Sequence, residues 1–303
     1  PWRGAHKMLV ESHVQCDMIY SLLADDLAEY PMLILPEPNA YRPETVRALR
    51  DYVENGGTLV AVGGSLIGED GFALEEVFGI EFLEPLAFSN CHFRPNKEVR
   101  GDTDDIPLQV RGPAYKVSPT NARELASLYY PMAERQGGIK EFRSPYSPAS
   151  RDRSPFPFAT VNRFGDGKAV YVAASIFEIY WQTNHHWLRQ FMEALLRHVD
   201  PEMPVDVEGP ALVEANLMRD GEDLLLNLIH YALGHQGGQS AISAIERSDP
   251  AHNVVCRVRC PNVEKVVTQP GWTELGFEQA GETCIFTVPE VEYLTTVRII
   301  PAE

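Results

Sequence analysis

Three places in this sequence put reactive or ligand-binding side chains where chemistry is possible. The first is Glu37-Pro38-Asn39, directly after the apolar run Met32-Leu33-Ile34-Leu35. In an open parallel sheet, ligands bind beyond the carboxyl ends of the strands. Glu37 is therefore a candidate acid or base, and Asn39 a candidate hydrogen-bond partner for a ligand. The plainer reading is a solvated loop carboxylate and a turn former. The second place is Gly63-Gly64-Ser65-Leu66-Ile67-Gly68. A dinucleotide fingerprint needs a spaced glycine triplet that opens into a helix. A hydrolase nucleophile elbow needs glycine two residues after the serine, where Ile67 stands. Ser65 is kept as a contact residue, not a nucleophile. The third is the group Tyr180, Trp181 and His185, which can stack on a sugar or pack the entry of a helix. His185 and His186 diverge by about 100° on a helix, and His198 lies roughly 18 Å further along the axis. No thiolate or carboxylate cluster accompanies them, so no metal site is expected. The residues support no catalytic assignment and no cofactor.

The elements that must position these residues alternate between helix and strand over residues 1–200. Val14-Gln15-Cys16-Asp17-Met18-Ile19 and Pro31–Pro36 read as strands, the second apolar enough to be covered on both faces. Pro43 takes a first helical position, Val46, Leu49 and Val53 share one face, and Gly56-Gly57 ends the helix. Thr58-Leu59-Val60-Ala61-Val62 is the next strand, and so short a β-α-β unit forces a parallel pair. Residues 86–160 carry many prolines and are expected to hold short strands and a functional or interface loop, with Tyr129-Tyr130-Pro131-Met132 and Phe156-Pro157-Phe158 as the surface for self-association. Gly165-Asp166-Gly167 marks a hairpin, and Trp187, Leu188, Phe191, Met192, Leu195 and Leu196 line an amphipathic helix. Beyond Pro201-Glu202-Met203-Pro204 the period switches to two, with a hairpin turn at Asp220-Gly221. The expected fold is thus an α/β domain with a parallel sheet and helices on both faces over 1–200, then a small antiparallel β-sandwich over 205–303.

Bulk properties narrow the function. A chain of 303 residues suits two domains. A net charge of −17 without a basic stripe argues against nucleic acid. No apolar run approaches the roughly 18 residues of a membrane span. Five cysteines lack the spacing of a disulfide scaffold. Cys256 and Cys260 on one strand would lie roughly 13 Å apart, beyond the reach of a disulfide. A reducing, cytoplasmic setting is expected. Pro1-Trp2-Arg3-Gly4-Ala5-His6 carries neither an initiator Met nor a signal peptide, so the chain is expected to come from a longer or processed protein.

Several segments resemble the β-galactosidase trimerisation domain of glycoside hydrolases. They are Glu11-Ser12-His13-Val14-Gln15-Cys16-Asp17, Leu33-Ile34-Leu35-Pro36-Glu37, and Leu49–Val60 with its Tyr52-Val53-Glu54-Asn55-Gly56-Gly57 core. Arg163–Val172 resembles the glycine-lysine hairpin of the same domains, and Asn227-Leu228-Ile229-His230-Tyr231 their C-terminal β domain. The resemblance implies a class I glutamine amidotransferase-like fold that has lost its nucleophile. Gly63 here follows the strand directly, where such an elbow keeps Cys, and it is expected to take positive φ. The resemblance also implies a catalytic TIM barrel of about 250 residues, which this chain cannot hold beside its two domains. The expectation is a non-catalytic assembly and accessory region of a glycoside hydrolase. Its expected partners are further copies of itself, as dimer or trimer, an upstream or separate TIM barrel, and a carbohydrate substrate. Two alternatives stand: a self-contained carbohydrate-active hydrolase, and a sugar-binding or structural module.

Overall fold

Apolar residues recurring with two different periods build two units. The computed structural model describes residues 1–19, 27–36, 41–69, 71–131, 133–135, 139–141, 152–200, 203–231, 235–236, 243–244 and 249–302. One unit comprises Pro1–Met8 and Met18–Pro201, the other Leu9–Asp17 and Glu202–Glu303.

The first unit contains β1 (Met32–Leu35), β2 (Thr58–Val62), β3 (Ile67–Gly68), β4 (Gly71–Phe72), β5 (Ile80–Pro85), β6 (Asn90–Pro95) and β7 (Leu108–Arg111). It continues with β8 (Tyr115–Pro119), β9 (Arg123–Tyr129), β10 (Ala133–Arg135), β11 (Ile139–Glu141), β12 (Arg153–Phe164) and β13 (Gly167–Val172). Among the described residues its main sheet has seven strands in the order β1-β2-β13-β12-β9-β6-β7. Every residue of β2 is buried, because β1 and β13 flank it in parallel. The helix Pro43–Glu54 forms where the sequence places it, with proline in its first turn and Leu49, Tyr52 and Val53 buried. Gly57 permits the Tyr52 ring to fold over the turn, since a Cβ there would sit 2.2 Å from the ring. The Tyr52 hydroxyl then donates to the Tyr30 carbonyl at 2.9 Å.

The flavodoxin/amidotransferase-like parallel sheet is not what the chain builds. Parallel pairing stops at three strands. A two-residue turn, Gly165-Asp166, joins β12 to β13, and a turn that short connects only antiparallel strands. From there β9, β6 and β7 add on in antiparallel order, giving a mixed sheet with few helices and several small antiparallel sheets beside it. The proline-rich stretch 86–160 holds β6 to β9, β10, β11 and the start of β12. On one face, Phe72 and Phe78 meet Tyr171 edge-on at centroid distances of 5.3 and 6.5 Å. On the other, Phe93 stacks on Phe158 at 4.3 Å, and Phe191 of the helix His186–Val199 closes over both.

The second unit contains β14 (Val205–Glu208), β15 (Val213–Asp220), β16 (Asp223–His230), β17 (His235–Gln236), β18 (Ser243–Ala244) and β19 (Ala251–Arg259). It ends with β20 (Val263–Gln269), β21 (Thr273–Glu274), β22 (Phe277–Ala280), β23 (Thr283–Val291) and β24 (Leu294–Pro301). Among the described residues two antiparallel sheets, β14-β19-β23-β22 and β15-β16-β24-β20-β21, share one core. Alternate residues such as Leu224, Leu226, Leu228 and Val254, Cys256, Val258 supply it, as a period of two dictates.

One segment departs from the sequence reading in an informative way. Val14–Ile19 is not a strand, and Leu9–Asp17 lies in the second unit. His13 takes φ 58° and is buried, with its Nδ1 2.7 Å from the Val213 carbonyl and its Nε2 3.3 Å from that of Gly209. The Gln15 side chain then acts as a strand would. Its Oε1 accepts from Leu217 N–H at 2.8 Å and its Nε2 donates to Leu217 O at 3.1 Å, along the open edge of β15.

Candidate functional site

The residues singled out in the sequence scatter. Glu37 and Asn39 lie outside the described residues. Gly63 takes φ 55° directly after β2, and its carbonyl accepts from the Tyr171 hydroxyl at 2.8 Å. Ser65 is wholly buried, with its hydroxyl 2.8 Å from both the Leu35 and Val62 carbonyls. Its one proton serves these carbonyls, which fastens the end of β1 to the end of β2. The residue is a staple within the fold.

Tyr180, Trp181 and His185 are brought near one another, but they do different work. Tyr180 is buried, and the Lys7 ammonium lies 4.9 Å from its ring centroid. His185 stacks on Trp187 at 4.2 Å, and the Trp187 indole N–H donates to the Gln109 carbonyl at 3.2 Å. Burial, with Arg111 and His186 nearby, holds the His185 imidazole below its ordinary pKa and so neutral. Trp181 points outward, 48% exposed.

The residue that sequence reasoning passed over is Trp2, 51% exposed on the helix Trp2–Glu11. No signal in the sequence pointed to it: Trp2 stands three and seven residues before Ala5 and Leu9 of the buried stripe, so the helical period places it on the packed face. The two indoles sit on adjoining helices, Trp2–Glu11 and Ile176–Thr183. Gly4 allows this, because a Cβ there would lie 2.0 Å from the Phe177 carbonyl oxygen and 3.2 Å from the Trp181 Cβ. Large aromatic side chains left exposed on close-packed helices suit a partner surface better than catalysis. Among the described residues no group of three or more His, Cys, Asp or Glu side chains is arranged to hold a metal ion.

Residues 5–127 match the β-galactosidase trimerisation domain. The matched stretch takes in the helix Trp2–Glu11 beyond its first turn, the helix Pro43–Glu54, strands β1 to β8 and most of β9, but not β12 and β13 of the main sheet. Solved structures extend the likeness in fold to nearly the whole chain. α-L-Fucosidase isoenzyme 2 from Paenibacillus thiaminolyticus superposes with a TM-score of 0.81 at 21% identity, over 99% of this chain and 45% of that one. The β-galactosidase of Bacillus circulans sp. alkalophilus gives 0.60 at 16% identity, over 98% of this chain and 37% of its own. Gan42B, a GH42 β-galactosidase from G. stearothermophilus, gives 0.58 at 15%, over 97% and 35%. The chain therefore spans less than half the length of each of these enzymes. No curated protein sequence matches it. Among the described residues no helix is long and apolar enough to cross a membrane.

Proposed function

We propose that this chain is the non-catalytic assembly and accessory region of a glycoside hydrolase, working beside a TIM barrel outside it. The observation that carries the reading is the trimerisation-domain match over residues 5–127. The likeness in fold to under half of a fucosidase and of two β-galactosidases supports it, since the remainder of each is available for the chemistry. Copies of the chain associate through the first unit as a dimer or trimer, with Trp2 and Trp181 as anchors. The aromatic run Tyr129-Tyr130 and Phe156-Pro157-Phe158 does not serve, because Tyr129, Pro157 and Phe158 are buried in the unit itself. Five free thiols support a reducing, cytoplasmic location. A sugar remains the substrate class of the whole enzyme.

Sedimentation at about 10 μM, well above the dissociation constant of a standard interface, is expected to give one defined oligomer. Trp181→Ser is expected to weaken it by about thirtyfold, as loss of a buried tryptophan anchor does. The same preparation is expected to turn over no aryl β-galactoside or α-fucoside. Turnover that Glu37→Gln abolishes would overturn the non-catalytic reading, and a strict monomer would overturn the assembly role.

A further inference from the structure

The antiparallel half of the first unit's sheet carries a cleft of about 350 Å³, lined among others by Arg94, Lys97, Arg100, Ser127, Tyr129 and Arg153. Strand register builds it. Arg94 of β6 stands opposite Ser127 of β9, and Tyr129 of β9 stands opposite Arg153 of β12. Ser127 and Tyr129 are two residues apart, so all four project from one face. The 3₁₀ turn Lys97–Val99 follows β6 at once. Val99 is fully buried, and Gly101, at φ 57°, lies close enough to the helix His186–Val199 that a Cβ would meet Ala194 at 3.2 Å. This anchors the turn and sets Lys97 and Arg100 at the rim of the sheet.

The charges in the cleft do not balance. Asp105 accepts from Arg94 at 2.8 Å and pairs with Arg100 at 2.8 Å. Glu124 accepts from Arg153 at 3.0 Å and from the Ser127 hydroxyl at 2.5 Å. Glu98, next in sequence to Lys97, is turned away to Arg123 at 2.5 Å and His198 at 3.6 Å. Among the described residues two carboxylates, Asp105 and Glu124, thus answer the four cations that line the cleft. Among the described residues the Lys97 ammonium makes no ion pair, and the Arg100 Nε is buried without a hydrogen-bond partner. A chain of net charge −17 gains no solubility from gathering cations in one concavity.

We propose that this cleft binds a small phosphate monoester. Its dianion matches the two uncompensated positive charges, and its three terminal oxygens suit guanidinium and ammonium donors. The volume is at the low end of small-molecule sites, which admits one compact ligand and no polymer. The inference does not depend on the assembly role, because neither Trp2 nor Trp181 lines the cleft, which is read from charge and register alone.

The sequence contained part of this signal. Arg94, Lys97 and Arg100 recur every third residue, but Arg153 reaches them only through the pairing of β12 with β9.

Isothermal titration of the whole chain with inorganic phosphate, glycerol 3-phosphate, glucose 6-phosphate and glucose tests the proposal. At least one ester is expected to saturate with a dissociation constant near 1 mM, more tightly than inorganic phosphate, and glucose is expected not to bind. Lys97→Gln is expected to weaken the ester by about threefold, and Lys97→Gln with Arg100→Gln by about tenfold, as charge-assisted contacts are removed. If Arg100→Gln fails to fold, Lys97→Gln alone decides the matter, because that side chain is exposed. No saturation by either ester up to about 50 mM would overturn the proposal, since so weak an affinity corresponds to no formed site. So would binding of the inorganic ion but neither ester, glucose binding as well as its phosphate, or an unchanged constant in Lys97→Gln.

Discussion

Two glycines in this protein occupy the same kind of turn in different surroundings, and replacing each by alanine separates conformational strain from steric exclusion. Gly165 begins the two-residue turn between β12 and β13 with φ 57°, and Gly221 begins that between β15 and β16 with φ 64°. Alanine at either position bears the left-handed penalty, about 1 kcal/mol. A Cβ on Gly221 meets nothing within 4 Å, so the penalty ends there. A Cβ on Gly165 would lie 2.4 Å from the Glu54 carbonyl oxygen and 2.7 Å from its Cα. That carbonyl also accepts from Asp166 N–H at 3.0 Å. The turn must back away from the end of the helix Pro43–Glu54 and stretch this bond, a further loss of about 1 kcal/mol. Displacing the packed hairpin adds about 1–2 kcal/mol. Gly165→Ala is thus expected to destabilise the first unit by about 3–4 kcal/mol, and Gly221→Ala the second by about 1 kcal/mol. Urea unfolding followed by hydrogen exchange of β13 and of β16 reads the two units separately. If Gly165→Ala costs no more than Gly221→Ala, the close approach of the turn to the helix end imposes no constraint, and the argument fails.

Two further outcomes follow from buried polar groups in the second unit. His13→Ala removes the ring that faces the Val213 and Gly209 carbonyls and places alanine at φ 58°. A loss of about 3 kcal/mol is expected in amide protection along β15 and β16, and unchanged protection would contradict it. Cys256 and Cys284 are buried, and burial pushes their thiols up to about 12 and about 11. The thiolate is the reactive form, so at pH 8 a disulfide reagent is expected to label both only after unfolding. Rapid labelling of the native protein at either position would refute this.

What the sequence revealed, and what it hid, follows from which interactions are local. The helix Pro43–Glu54 was legible because proline, a 3.6-residue apolar period and Gly56 all act within one segment. The hairpin turns at Gly165-Asp166 and at Gly221-Glu222, one residue beyond the Asp220-Gly221 read from the sequence, were legible for the same reason. The order of strands beyond β13 was not, because Asn90-Cys91-His92-Phe93 of β6 and Arg123–Tyr129 of β9 mix polar and apolar residues without a clean period. Their partners lie across the sheet, and the β-α-β start invited the extrapolation to a parallel fold. Tyr180 and Trp181 could not be told apart in role, since neighbours on a helix diverge by about 100° and the buried side is set by the helix that packs against them. Gln15 looked like part of a strand, yet it completes a sheet with its side chain while its own backbone stays outside.

The placement of Leu9–Asp17 in the second unit has a consequence for the timing of synthesis. His13 and its partner Val213 are 200 residues apart in the chain, and Gln15 and Leu217 are 202 apart. At about 5–20 residues per second, a ribosome takes roughly 10–40 s to deliver β15 after His13 has been made. Throughout that interval the segment that will cover the edge of β15 exists without the strand it covers. The first unit can be complete while Leu9–Asp17 waits, and the second can close only when that segment and β15 have both been made. Synthesis in order therefore leaves Leu9–Asp17 waiting on a strand made some 200 residues later.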